Sequence, residues 1–444
     1  MACLTSQQAR ALKNYCRECV FAWTQGFAGL PSEATRRFCE AFLRDAPWSE
    51  IWTVEDLGSL IWEVSREVDG LLTSNDQASK SASCDLWNAR LRVELESYPR
   101  AYHVYVELPG LDPDLLEIER LELPEEVFVL STSATSQEMR RLVRPEWSGD
   151  IDTSQATTLE EFRELMRPIS SFLLEPDSIY LRFTEKGAMP GVLSTERPSL
   201  LSRAITRTKI FVFFGLELGL FERREIFRER HHASGNRTIV HVAVHSTSHH
   251  GQAATQLPRD FENFVRGITF PMSDAGTSPS VSQRELNERL QPVVRFMQMP
   301  SCNEHAERLA AGIEWLIDSV TAESQMMALV QACIGLEAVL GDSSPAGFEL
   351  GITARLAERY AYLMGCSASE RTKLKEDLRA VFAKRGDLVH ARRHRLPPYE
   401  AGLIRTSQQM LQAVLRKEIA LLLELSSDSL SQMDIERIRP LHNF

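Results

Sequence analysis

A chain of 444 residues has room for two or three domains, each able to bury a core, so a lone small module is excluded. With 43% hydrophobic and 25% charged residues it is an ordinary folded protein, not a disordered, collagenous or membrane chain. A formal net charge of -11 excludes a broadly basic coat for nucleic acid and leaves space only for a local basic site.

The first seventy or so residues have apolar positions at helical intervals, among them Leu12, Tyr15, Cys19, Phe38 and Phe42. A polar run, Thr73 to Ser83, then has linker composition. From Trp87 the period changes to two: Leu91, Val93 and Leu95, then Tyr102, Val104, Val106 and Leu108, predict an antiparallel hairpin or meander. Further strands are expected at Val127 to Ser131, Ile179 to Thr184, Lys209 to Leu216 and Thr238 to His245, with one helical insert at Leu159 to Met166. Ile210 to Phe221 is the most apolar stretch. It is shorter than the ~20 residues of a membrane span and contains Glu217, so it is read as a buried strand. A second linker, Ser273 to Ser280, precedes helices expected at Gln283 to Met297, His305 to Val320, Ser324 to Leu340, Leu350 to Met364, Ala368 to Ala383 and Ala401 to Leu425. The expectation is an α+β multidomain chain: a helical N-terminal segment (1–83), a β-rich middle domain that senses or gates (84–280), and an all-α helical bundle (281–444).

The sharpest chemical signal lies near the end of that region. Ser367 and Glu370 fit a capping box that starts a helix. Its apolar stripe runs Leu374, Leu378, Val381, and the next position on that face is Arg385. A guanidinium on a core-facing stripe needs a counter-ion or an anion at an interface. Arg385 and His390 form an Arg-x4-His element, with Lys384 before it and Arg392, Arg393, His394 and Arg395 after it. An imidazole can move protons near neutral pH while an arginine neutralises charge on a phosphate, which suits metal-free cleavage of an RNA phosphodiester. Positions five apart on an ideal helix diverge by about 140°, so Gly386 is expected to supply the break that brings the two together. Glu337, an acid in an apolar helical stretch, is expected to pair with Arg355, Arg359 or Arg385 and to support geometry rather than catalysis.

The pieces GIEWLIDS, ALVQACIGLEAVLGD, ITARLAERYAYLMG and VFAKRGDLVHAR, between Ala310 and His390, resemble in order and spacing the HEPN superfamily, in particular its Apea-like branch. The resemblance covers about Ala310 to Leu425. It implies a HEPN-like helical bundle, with Arg385 and His390 as the ribonuclease signature and Gly386 where the family usually carries a polar residue. It implies a homodimer with a shared cleft. In that cleft His390 acts as general base or acid, Arg385 holds the scissile phosphate, and cleavage leaves a cyclic phosphate. Asp387 would orient the imidazole, and Lys384, Arg392, Arg393 and Arg395 would clamp the RNA backbone. Apea-like proteins are associated with prokaryotic defence against phage by growth arrest through cutting tRNA or other RNA. The implied partners are therefore RNA, a second copy and a phage-derived trigger, with control in the N-terminal portion.

No metal or cofactor is called for. The alternative is a non-catalytic HEPN-like module that binds nucleotide or a protein partner. A third class, a metal-dependent hydrolase on the middle domain, has thin support. His241 and His245 stand about 13 Å apart in a strand, too far to share a metal. Pro176-Asp177 followed by Glu185-Lys186 lacks the spacer of the metal-dependent nucleases, and no phosphate-binding glycine loop occurs. Cys16 and Cys19 form a CxxC with neither a second pair nor zinc-finger spacing. The eight scattered cysteines and a start without a basic and apolar leader predict reduced thiols in the cytoplasm.

Overall fold

Apolar periodicity places two cores along the chain. The computed structural model describes residues 4–24, 32–44, 77–111, 120–122, 127–130, 179–187, 199–223, 239–244, 253–256, 258–271, 283–299, 303–341, 351–390, 396–397 and 400–423, with isolated positions between 48 and 64. Among them the chain is mostly helical.

The N-terminal core is built by α1 (Ser6–Thr24), α2 (Ser32–Phe42) and α3 (Gln77–Glu96). Tyr15 of α1 stacks on Phe38 of α2 with ring centroids 4.8 Å apart, and its hydroxyl hydrogen-bonds Thr35 at 2.8 Å. Trp87 of α3 lies against Tyr15. Here two expectations are corrected. Residues from Gln77 onward belong to a helix rather than a linker, and Trp87 to Leu95 is helix rather than strand. Among the described residues the buried apolar side chains of α3 are Cys84, Trp87, Leu91 and Leu95, a helical set, whereas Val93 is 61% exposed. This core runs on to Tyr98, past the boundary expected at 83.

The second core holds a six-stranded antiparallel sheet, β1 (Arg100–Leu108), β2 (Arg120–Glu122), β3 (Val127–Leu130), β4 (Ile179–Gly187), β6 (Ile239–Val244) and β7 (Ala253–Gln256), in the order β2-β3-β4-β1-β6-β7. The central strands β1 and β4 pair from Arg100–Gly187 to Leu108–Ile179. They turn Tyr102, Val104, Val106, Leu181 and Phe183 into the core, as alternation predicts. A short ladder joins β5 (Glu222–Arg223) to β8 (Ile268–Thr269), beside α5 (Arg259–Arg266).

The middle region is nevertheless mixed rather than β-rich. Lys209 to Leu216 is not a strand but part of α4 (Ser199–Glu217), whose apolar run Ile210 to Phe214 is buried throughout. Leu200, Leu201, Ala204 and Ile205 of α4 join the core beneath the sheet. The turn that follows the helix passes through Gly219, whose φ of 65° is left-handed, with Leu220 and Phe221 N–H groups returning to the Gly215 carbonyl. A Cβ at Gly215 would lie 2.1 Å from the Phe221 ring, so the absence of a side chain permits this close turn. The expected insert at Leu159 to Met166 and the second linker, Ser273 to Ser280, lie outside the described residues.

The six expected C-terminal helices are α6 (Gln283–Gln298), α7 (Glu304–Thr321), α8 (Gln325–Leu340), α9 (Ile352–Met364), α10 (Ala368–Val389) and α11 (Gly402–Leu422). Their apolar faces and those of the sheet and α4 form one continuous core from Tyr102 to Leu423. Ionic contacts tie α4 into this bundle. Lys209 Nζ lies 3.3 Å from Glu314 and 2.7 Å from Asp318 of α7, while Glu217 accepts from Gln412 and Arg416 of α11. On the sheet side Glu185 of β4 is 3.1 Å from Arg203 and 3.0 Å from Arg207. No helix among the described residues is long and apolar enough to cross a membrane.

Close approach of α8 to its neighbours depends on a glycine. A Cβ at Gly335 would lie 2.5 Å from Leu411 of α11 and 3.1 Å from Trp315 of α7. Gly335→Leu should therefore overpack this junction and lower stability by ~1–3 kcal/mol, read as a lower urea midpoint at unchanged m-value.

Candidate functional site

Helix α10 presents the residues the sequence singles out. Its first turn is capped as expected: Ser367 Oγ accepts from the Glu370 N–H at 3.2 Å, and the Glu370 carboxylate accepts from the Cys366 N–H at 2.9 Å. Leu378 and Val381 are fully buried, Leu374 packs on the core edge, and Arg385 continues the stripe. The Arg385 guanidinium meets Glu337 of α8 at 3.2 Å, with the two side chains 28% and 31% exposed. Of the three candidate partners of Glu337, this is the contact formed.

Below that pair lies Cys333, one turn before Glu337. Burial pushes its thiol up to about 12, against an opposing pull from the Arg385 charge. Two arginines hold the end of α8 nearby. Arg359 of α9 donates to the Leu340 and Gly341 carbonyls at 2.7 and 2.8 Å, and Arg308 of α7 donates to the Gly341 carbonyl at 2.9 Å. Cations at a helix C-terminus satisfy its last carbonyls and oppose its dipole. Sequence reasoning offered Arg359 only as a partner for Glu337 and missed Arg308; their signal is spacing across three helices, which one chain does not print.

The expected break at Gly386 does not form. Helix α10 runs unbroken through Gly386 to Val389, and His390 caps it, its N–H donating to the Gly386 carbonyl at 3.0 Å. A Cβ at Gly386 would meet no atom within 4 Å, so the helix tolerates this glycine without needing it. Arg385 consequently faces α8 while His390 sits exposed at the helix end, about 140° away around the axis. Within one chain the two are not brought together. Asp387 stands half-buried on the last turn, three residues before His390. Lys384 is engaged elsewhere, its Nζ lying 2.6 Å from the buried Glu400 carboxylate. Arg392, Arg393 and Arg395 lie outside the described residues, as do His245, His249, His250 and the Pro176-Asp177 pair. Cys16 and Cys19 lie on α1 as expected, buried, with burial raising both thiols, that of Cys19 to about 12. Among the described residues no group of three or more histidines, cysteines and carboxylates could hold a metal.

No family model, curated protein or solved structure matches this chain. The chemistry of the site therefore has to be argued from its own residues. These are a guanidinium fixed by a carboxylate, an exposed imidazole one and a half turns further on, and a helix end open to solvent.

Two measurements check this description. Glu337→Gln should cost less than about 1 kcal/mol, because the Arg385 pair is part-exposed and screened, and the urea midpoint reports it. In the native protein, iodoacetamide should label Cys366 and spare Cys16, Cys19, Cys39, Cys84 and Cys333, which are buried. Peptide mass mapping before and after denaturation separates the two sets.

Proposed function

We propose that this protein is a metal-independent endoribonuclease of the HEPN type that cuts cellular RNA, tRNA among the candidates, in anti-phage defence by growth arrest. The observation that carries this reading is the end of α10, where an arginine held by Glu337 precedes an exposed His390 within one Arg-x4-His element. The four sequence pieces that resemble Apea-like HEPN domains surround it.

Because Arg385 and His390 diverge around α10, the reading requires a second copy. A homodimer pairing two α10 ends would give a cleft with two of each residue. One imidazole takes the proton from the ribose 2′-OH, whose oxygen attacks phosphorus. The bond to the 5′-oxygen breaks, and that oxygen takes a proton from the other imidazole. The Arg385 guanidinium offsets the charge that builds on the phosphoryl oxygens. The products are a 2′,3′-cyclic phosphate and a 5′-hydroxyl. In this scheme Asp387 orients the imidazole and Glu337 keeps Arg385 in place. Arg392, Arg393 and Arg395 hold the flanking backbone, and Lys384 does so only if RNA displaces Glu400. The N-terminal core and the sheet are the place for control by a phage-derived trigger.

A second reading rests on the same contact. A guanidinium already matched by a carboxylate can serve as an interhelical brace, which makes the bundle a non-catalytic module for a nucleotide or protein partner.

Cleavage of total cellular RNA in excess EDTA separates the two. Wild type should cut and leave cyclic phosphate ends. His390→Ala and Arg385→Ala should each cut at least ~100-fold more slowly, with helical circular dichroism unchanged. Equal cutting by all three proteins would remove these residues from the chemistry, and a wild type that binds RNA without cutting it would favour the module.

A further inference from the structure

Tyr362, on α9, is 64% exposed, more than a tyrosine needs if it only filled space. Two cations of α10 lie against its ring: the Arg371 guanidinium 4.7 Å from the centroid and the Lys375 ammonium at 5.6 Å. Arg371 is fixed there, because its Nε donates to the Gly365 carbonyl at 3.0 Å and its stem crosses Gly365, where a Cβ would lie 2.8 Å away. Lys375 also touches Glu358 of α9 at 2.6 Å.

The arrangement continues along α10. With about 100° per residue, Arg371, Lys375, Arg379 and His390 fall within one arc of about 100°. The acids of α10, Glu370, Glu376, Asp377 and Asp387, all fall outside that arc. Arg379, Val389 and His390 are exposed, and Gly386 leaves bare backbone between Arg379 and His390. In a protein with net charge -11, the three cations make a basic stripe about 12 Å long at 1.5 Å per residue, and the buried Phe382, at about 20° within the same arc, separates it from His390. The stripe runs from an exposed aromatic ring toward the imidazole at the helix end.

We infer that this stripe is a binding track for single-stranded RNA, with Tyr362 as a base-stacking platform and Arg371, Lys375 and Arg379 as phosphate contacts. The ring supplies a π-face that any base can use, and the cations follow the backbone, the two elements of sequence-tolerant single-strand binding. At ~3.4 Å per stacked nucleotide the three cations span about three to four nucleotides. The track rests on the ribonuclease reading above and adds a substrate class to it: an unpaired strand that enters along α10.

The test uses the full-length protein and a fluorescent 12-nucleotide 2′-O-methyl oligouridine, which has no free 2′-OH and cannot be cut. Anisotropy should show Tyr362→Ala binding about tenfold more weakly than wild type, with Tyr362→Phe restoring affinity. Arg371→Gln with Arg379→Gln should lower the slope of log affinity against log salt by about 1.4, and Arg379→Gln alone by about 0.7. The single variant, at an exposed position, guards against a folding effect of losing Arg371. No binding by wild type, unchanged affinity and slope in the variants, or equal binding of an RNA duplex would each overturn the track. Unmodified oligouridine separates the two readings. Binding that follows this pattern without any cutting leaves the track standing and removes the ribonuclease, whereas cutting with variant-independent binding removes the track alone.

Discussion

Burial of the second half of α4, Thr208 to Gly215, on every side is the constraint from which the rest of the architecture follows. A helix with apolar residues all round has to be enclosed, and here the sheet encloses one flank and the C-terminal helices the other. Phe214 meets Phe296 of α6 and Phe211 meets Phe221, so the same short run serves two layers. The sheet and the bundle therefore share an interior instead of touching across a surface. Helix α10 is positioned chiefly by α9, and also by α8 and α11, which all pack into that interior.

Much of this was legible in the sequence, and the failures have physical reasons. Five of the six C-terminal helices end within three residues of their expected limits, because each is amphipathic and most are bounded by a capping residue or glycine. Helix α10 overran by a turn and a half because a lone glycine costs only about 1 kcal/mol in a helix and no proline follows until Pro397. Strand β1 and strand β4 were legible because one face of each is apolar, although His103, Tyr105 and Tyr180 are buried on the other face as well. In α3 the alternation of Leu91, Val93 and Leu95 was a coincidence, and the 3-4 spacing of Cys84, Trp87, Leu91 and Leu95 was the true signal. Ile210 to Phe214 carries no period at all, since every face is buried, and a short apolar run cannot distinguish helix from strand. Its length, from Ser199 to Glu217, was the better guide.

The candidate site was legible in its residues and not in its geometry. That Arg385 sits on a core-facing stripe followed from the 3.6-residue repeat, and so did its need for a counter-ion. Which acid answers it is a tertiary fact: Arg355, Arg359 and Arg385 were equivalent choices on paper. Arg359 proved to be occupied with the last carbonyls of α8. Lys384 likewise had the composition of a phosphate clamp, yet Glu400, sixteen residues on, claims it.

Two ion pairs of opposite polarity anchor α4, one at its middle and one at its C-terminal end. Lys209 gives a positive charge to the acids of α7, and Glu217 gives a negative charge to Arg416 of α11. A helix slid or rotated out of this register would leave Lys209 without its two acids and Glu217 without Arg416. Greasy side chains alone would accept several settings; the charges act as a key with one way into the lock. Any tilt of the sheet that carries α4 with it must then pull on α7 and α11 together, so the two halves move as one lever.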